Sequence, residues 1–282
     1  MADEQPTGLM NLVRAAAGAL PFIPRGDHLP TRTLRVDELP IDRAGVAAYC
    51  AVTGLRSGDT VPLTYPFALT FPTVMALITN FDFPFPAMGA VHVENHITRH
   101  RPIAVTDTLS ATVHAENLRE HRKGLLVDVV TDVHVGNDTA WHQVTTFLHQ
   151  QRTSLSGEPK PEPPKQPKLP PPNAILRITP GRIRRYAAVS GDRNPIHTSS
   201  VGARLFGFPT VIAHGMFSAA AVLANIGGQL PAAASYSMKF GKPVVMPASA
   251  GLYIDRVADG WDLALRNIAR GYLHLTGMVR GL

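Results

Sequence analysis

The sequence predicts an α+β protein built as two tandem copies of one unit, an apolar helix followed by an antiparallel meander. Three observations predict it. Each half of the 282-residue chain carries one strongly apolar helical run and then several strand-like runs of alternating character. The halves repeat at a spacing of 137 residues: Tyr49, Ala51, Val52 and Gly54 match Tyr186, Ala188, Val189 and Gly191, and Phe71-Pro-Thr-Val74 matches Phe208-Pro-Thr-Val211. Between them, residues 154–173 are rich in proline among Lys and Glu, the composition of a stiff, solvated spacer. The expected organisation is therefore a first unit over 1–153, a linker over 154–173 and a second unit over 174–282.

Taken in order, residues 9–20 read as a short amphipathic helix closed by Pro21 and Pro24. Residues 31–36 alternate like a strand, and 42–52 read as a helix ending at Thr53-Gly54. After a stretch rich in proline and aromatics through Tyr65-Pro66-Phe67, residues 71–79 are the apolar helix. Strands follow over 89–103, 109–114, 125–135 and 140–149, with turns at Glu120 to Gly124 and at Gly136-Asn137-Asp138. In the second half, 175–178 is a strand, 180–190 a helix and 208–226 the long apolar helix. Residues 236–244, 250–257, 261–269 and 274–280 are the closing strands.

Composition narrows the function classes. Lys+Arg number 27 against 21 Asp+Glu, a net charge of +6. The basic residues are scattered or lie in the linker, without zinc spacing, basic helix or aromatic platform, so an anionic substrate is favoured over a nucleic-acid partner. The densest cluster, Arg182, Arg184 and Arg185, reads mainly as solvated helix positions. Cys50 is the only cysteine and sits in an apolar run, which excludes an intrachain disulfide and points to buried packing. No run approaches the ~18 apolar residues of a membrane span. The start Met-Ala-Asp-Glu is acidic where a secretory signal needs positive charge, so a cytoplasmic protein is expected.

Most of the functional signal lies between Tyr186 and Met216. Thr179-Pro180 reads as an N-cap and first helical position and Gly191 as the residue after the helix end. Asp192 then opens a loop, and Asn194-Pro195 turns that loop so that the Asp192 carboxylate and the His197 imidazole converge. A carboxylate beside a histidine is an acid/base device. Taken alone, that spacing more often marks a capping residue and a surface imidazole. Ala213-His214-Gly215-Met216 raises its weight, because it opens an apolar helix whose first amides are unpaired and backed by the helix dipole. Glycine at 215 leaves its amide uncovered, able to hold an oxyanion.

Tyr-Ala-x-x-Ser-Gly-Asp-x-Asn-Pro-Ile-His, followed by Gly-Phe-Pro-x-x-Ile-Ala-His-Gly-Met, resembles the hydratase 2 motif of the MaoC-like, (R)-specific enoyl-thioester hydratases. The whole chain is similar to the two-hot-dog (R)-3-hydroxyacyl-thioester dehydratases of mycobacteria and their relatives. The resemblance implies a double hot-dog fold, each repeat an antiparallel sheet wrapped around a long central helix, with the two repeats sharing a continuous sheet and the acyl chain between them. It implies that Asp192 and His197 activate a water, that Asn194 supports the site and that the Gly215 N–H receives the thioester oxygen. His214, at the start of the apolar helix, reads more simply as a supporting or capping residue. No cofactor and no metal are implied. The substrate would be an acyl thioester of coenzyme A or of acyl carrier protein, and the assembly a monomeric pseudo-dimer or a homodimer.

At the 137 spacing Leu55 stands for Asp192, Thr60 for His197 and Leu77 for His214. The first half is therefore expected to lack the chemistry and to serve packing or an alkyl chain, leaving one site per chain. Three rival readings stay open: a hot-dog thioesterase, a metal site on Asp192, His197 and His214, and a protein that binds acyl thioesters without turnover. Lys239, Lys242, Arg193 and Arg266 are the basic side chains that would meet a coenzyme A phosphate, with a solvated surface position the default for each.

Overall fold

The structure, a computed structural model, describes residues 25–159 and 169–282. The helix expected over 9–20 and the linker prolines 161, 163, 164 and 167 lie outside the described residues. The chain opens with β1 (Leu34–Leu39), α1 (Arg43–Thr53) and α2 (Tyr65–Ile78), then β2 (Ala90–Arg99), β3 (Leu109–His121), β4 (Gly124–Val135) and β5 (Asp138–Gln150). After the linker come β6 (Ala174–Ile178), α3 (Pro180–Ser190), two short helices α4 (Pro195–Thr198) and α5 (Ser200–Leu205), and α6 (Gly215–Leu223). The chain closes with β7 (Ala234–Phe240), β8 (Ala248–Val257), β9 (Gly260–Asn267) and β10 (Leu273–Gly281).

All ten strands form one antiparallel sheet in the order β1-β3-β4-β5-β2-β7-β10-β9-β8-β6. The order reads as a unit and its mirror image. The seam is the β2–β7 pair, from Glu94 opposite Lys239 to Arg99 opposite Ala234. Closing the two sheets edge to edge there hides two edges that would otherwise present unpaired backbone groups. The sheet wraps α2 and α6, the double hot-dog arrangement. Met216 through Leu223 are all buried, so α6 is apolar on every side because no side of it meets water.

The local chemistry explains the element ends. Asp42 caps α1 by accepting from the amides of Ala44 and Gly45, and Gly54 ends it at φ 89°, a left-handed conformation in which glycine meets no steric cost. Thr179 and Gly191 do the same for α3. The caps of α1 and α3 keep the 137 spacing, and the matched Tyr49 and Tyr186 meet with ring centroids 5.8 Å apart. Arg182 is less solvated than its sequence suggests. Its guanidinium donates to the carbonyls of Val52 and Thr53 at 2.7 and 3.2 Å, at the end of α1, and lies over the Phe217 ring.

Two expectations are corrected. The first apolar helix begins at Tyr65 rather than 71, because Pro66 falls in its first turn, where a missing N–H costs nothing, and Pro72 is taken inside. The second is not a long helix over 208–226 but nine residues from Gly215. The 137 spacing also stops holding beyond the α1/α3 pair. Thr60 bridges Ala104 as Ile212 bridges Val245, and the amides of Val61 and Ala213 donate to Ile103 and Val244. Thr60 therefore corresponds to Ile212, not to His197, and the matched Phe-Pro-Thr-Val lies in a helix in one half and in a loop in the other. The extra residues of the second half form α4 and α5, which carry His197 and have no counterpart in the first.

Candidate active site

Asp192 is the second residue beyond α3, past the left-handed turn at Gly191. Its Oδ1 accepts from the Asn194 amide at 3.2 Å, and the Asn194 Oδ1 accepts from the Ile196 amide at 3.2 Å. These two short turns are what Asp and Asn side chains form most readily. Pro195 opens α4 and His197 is its third residue. The loop is then laced to residues 212–214. The Ile212 amide donates to the Ile196 carbonyl at 3.1 Å, His197 Nδ1 donates to the Ile212 carbonyl at 2.8 Å, and His214 Nε2 donates to the Asp192 carbonyl at 2.9 Å.

The result brings Asp192, His197 and His214 together, with one polar atom of each within 4.8 Å of the others. The two imidazoles stack with centroids 3.7 Å apart. Burial holds His197 below the ordinary histidine range, against the pull of the Asp192 carboxylate and the bond to Ile212. Burial and the neighbouring His197 push His214 down to about 3, against Asp192. Both rings are thus neutral near pH 7. Because the Nδ1 of His197 carries its proton to Ile212, its Nε2 holds the lone pair, the form a general base needs.

Gly215 is the first residue of α6, so its N–H has no acceptor within the helix. A Cβ at 215 would lie 3.0 to 3.2 Å from atoms of the Phe240 ring, so a larger residue there would press that ring back by a few tenths of an ångström. The Asn194 side-chain oxygen is engaged within the loop. Of the predicted residues Asp192, His197, Asn194, His214 and Gly215, all border one cavity of about 790 Å³, within the range of small-molecule sites. Its other wall comes from the first half, through Phe67, Phe71, Met75, His92 and Phe147. Sequence reading missed His92, whose position depends on a strand irregularity that no motif encodes.

As a metal site the trio is incomplete. The His214 nitrogen that faces the Asp192 carboxylate at 3.8 Å is the one protonated toward the Asp192 carbonyl, so it has no lone pair to give. Among the four basic candidates, Arg193 and Lys242 border the cavity, whereas Lys239 pairs with Glu94 at 3.1 Å and Arg266 donates to the Gly271 carbonyl. No helix among the described residues is long and apolar enough to cross a membrane.

Comparison with known proteins gives the chain's family. Residues 161–276 match the family model of the MaoC like domain. Over 278 residues the chain is 72% identical to 3-hydroxyacyl-thioester dehydratase X of Mycobacterium tuberculosis, covering 99% of each chain. The crystal structure of HtdX from the same organism superposes with a TM-score of 0.81 at 66% identity, over 89% of this chain and 100% of that one. A MaoC-like dehydratase from Phytophthora capsici shares the fold, with a TM-score of 0.71 at 18% identity over 90% of this chain and 95% of its own. With near-complete coverage at that level of identity, the chain belongs to the MaoC-like dehydratases.

Proposed function

We propose that the protein is a hydro-lyase that adds water reversibly across the double bond of a trans-2-enoyl thioester, giving an (R)-3-hydroxyacyl thioester. The observation that carries this reading is the convergence of the Asp192 carboxylate and the His197 imidazole, one polar atom of each within 4.8 Å of the other, at an apolar cavity that also holds the first amide of α6. Asp192 and His197 hold one water. Its oxygen adds to C3, the pair takes its proton and a proton is returned to C2, while the enolate oxygen rests on the Gly215 N–H. In dehydration the same groups work in reverse. A positioned acid/base group contributes about 10²- to 10⁴-fold, and an oxyanion donor about 10²- to 10³-fold.

The first unit, residues 1–153, would hold the acyl tail, the second, 174–282, would carry the chemistry, and 154–173 would join them. Lys123, Arg193 and Lys242 border the cavity and suit the phosphates of coenzyme A or of a carrier-protein arm. One chain already contains both sheet halves, so a monomeric pseudo-dimer is sufficient for one site, and a homodimer would add a second. The reaction as written needs no cofactor.

The test is hydration of crotonyl-CoA and longer trans-2-enoyl-CoA substrates with the configuration at C3 determined. Loss of the enoyl absorbance with an (R)-product is expected. Release of free thiol without hydration would instead make the protein a thioester hydrolase, and tight binding without either would make it a carrier.

A further inference from the structure

We propose that His92 is a specificity-determining residue: held edge-on by Asn95, it forms with Phe67, Phe147 and Phe240 a rigid collar that admits a linear acyl tail and refuses a bulky one. The inference rests on the hydratase reading and deepens it.

β2 shifts register between His92 and Glu94. The irregularity changes which side chains face the helices. Glu94 and His96 are exposed on the outer face, while Asn95, 2% exposed, and His92 both turn inward although they are an odd number of residues apart. Re-aiming a side chain into a site is a recurrent use of such bulges. Once inside, the imidazole sits among three phenyl rings, with centroids 4.8 Å from Phe240, 5.5 Å from Phe147 and 6.0 Å from Phe67.

The ring is tethered at its edge. Asn95 Nδ2 donates to His92 Nε2 at 3.0 Å and to Thr145 Oγ1 at 3.1 Å, and the Asn95 Oδ1 accepts from Gln143 Nε2 at 2.9 Å. With Nε2 engaged, the imidazole lies stacked on Phe67 and borders the cavity. A phenyl ring could fill the same space, but only the imidazole is fixed in rotation by the buried amide.

The collar lies just beyond the reacting carbons. The Phe240 ring touches both sides, covering Gly215 and packing against His92. A tail whose carbonyl rests on the Gly215 amide therefore starts beside Phe240 and His92, in a cavity that Phe71 and Met75 of α2 also border. Size selection in an apolar wall of this kind is worth on the order of tenfold or more per misfit group.

The test measures Kd by calorimetry for two unreactive ligands, octanoyl-CoA and 5-phenylpentanoyl-CoA. His92→Ala is expected to shift the ratio of the two constants about tenfold toward the phenyl ligand, and His92→Phe to keep it within about threefold of wild type. Phe147→Ala opens the same collar from β5 and must shift the ratio the same way, which keeps the test open should His92→Ala not fold. A ratio unmoved in the opened variants, or both constants rising together, overturns the collar. So does a loss of kcat on octenoyl-CoA in His92→Phe beyond about tenfold, since that would make His92 a proton-transfer group. Failure of the wild type to hydrate any enoyl-CoA would sink the hydratase reading without touching these binding ratios.

Discussion

The imidazoles of His197 and His214 lie face to face at 3.7 Å, yet each spends a ring N–H on a different backbone carbonyl, His197 on Ile212 and His214 on Asp192. The pairing divides the labour. His197 keeps a lone pair on its other nitrogen, and His214 holds the backbone that carries the carboxylate.

For the chemistry, Asp192→Asn and His197→Ala are each expected to lower kcat for enoyl-CoA hydration by about 10²- to 10⁴-fold, with far-ultraviolet circular dichroism unchanged. The double variant should lose little more than either single one, because the two groups act on one water. Full additivity would mean that they act independently.

For the support, His214→Ala leaves the Asp192 carbonyl without its donor and opens a hole beside Tyr186 and His197. Loss of a buried partner costs about 1–3 kcal/mol. The expected result is a lower Tm together with a fall in kcat larger than the rise in KM, because the loop that positions Asp192 loosens while the acyl channel stays intact.

At the helix start, Gly215→Ala forces its Cβ against Phe240 at 3.0 Å. Overpacking of this kind costs about 1–3 kcal/mol. Combining it with Phe240→Leu should recover part of the stability, and a double-mutant cycle by chemical denaturation measures the coupling. Strictly additive losses would show that the two residues do not meet.

Acid should destabilise the protein through its buried histidines. The folded pKa of His214, about 3, lies below its unfolded value. Its contribution is therefore complete above about pH 6.5 and is lost as pH falls toward 3, amounting to about 2 kcal/mol by pH 5. His197 and His92, also lowered, act in the same sense. His142, raised by its bond to Asp132, acts in the opposite sense, its share being present at low pH and lost as pH rises. Thermal unfolding at pH 7 and pH 5, compared between wild type and His214→Gln, isolates the term: the wild type should lose more stability than the variant.

The convergence of Asp192 and His197 was legible in the chain because it is locally encoded. Thr179, Gly191, Asn194 and Pro195 set their turns through contacts a few residues long, so Asp192 and His197 converge wherever that stretch is placed. The paired helices α1 and α3 were legible for the same reason. Sequence similarity was misleading where spacing was taken for structure: Phe71-Pro-Thr-Val74 and Phe208-Pro-Thr-Val211 are alike as strings but fold differently, since α4 and α5 displace everything after Asp192. What only the tertiary structure decided is the far side of the site. His92 faces the cavity because β2 slips register against β5 and pairs with β7, more than a hundred residues away. Register in a sheet is settled between strands, by which faces can be buried together, and no single strand carries that information.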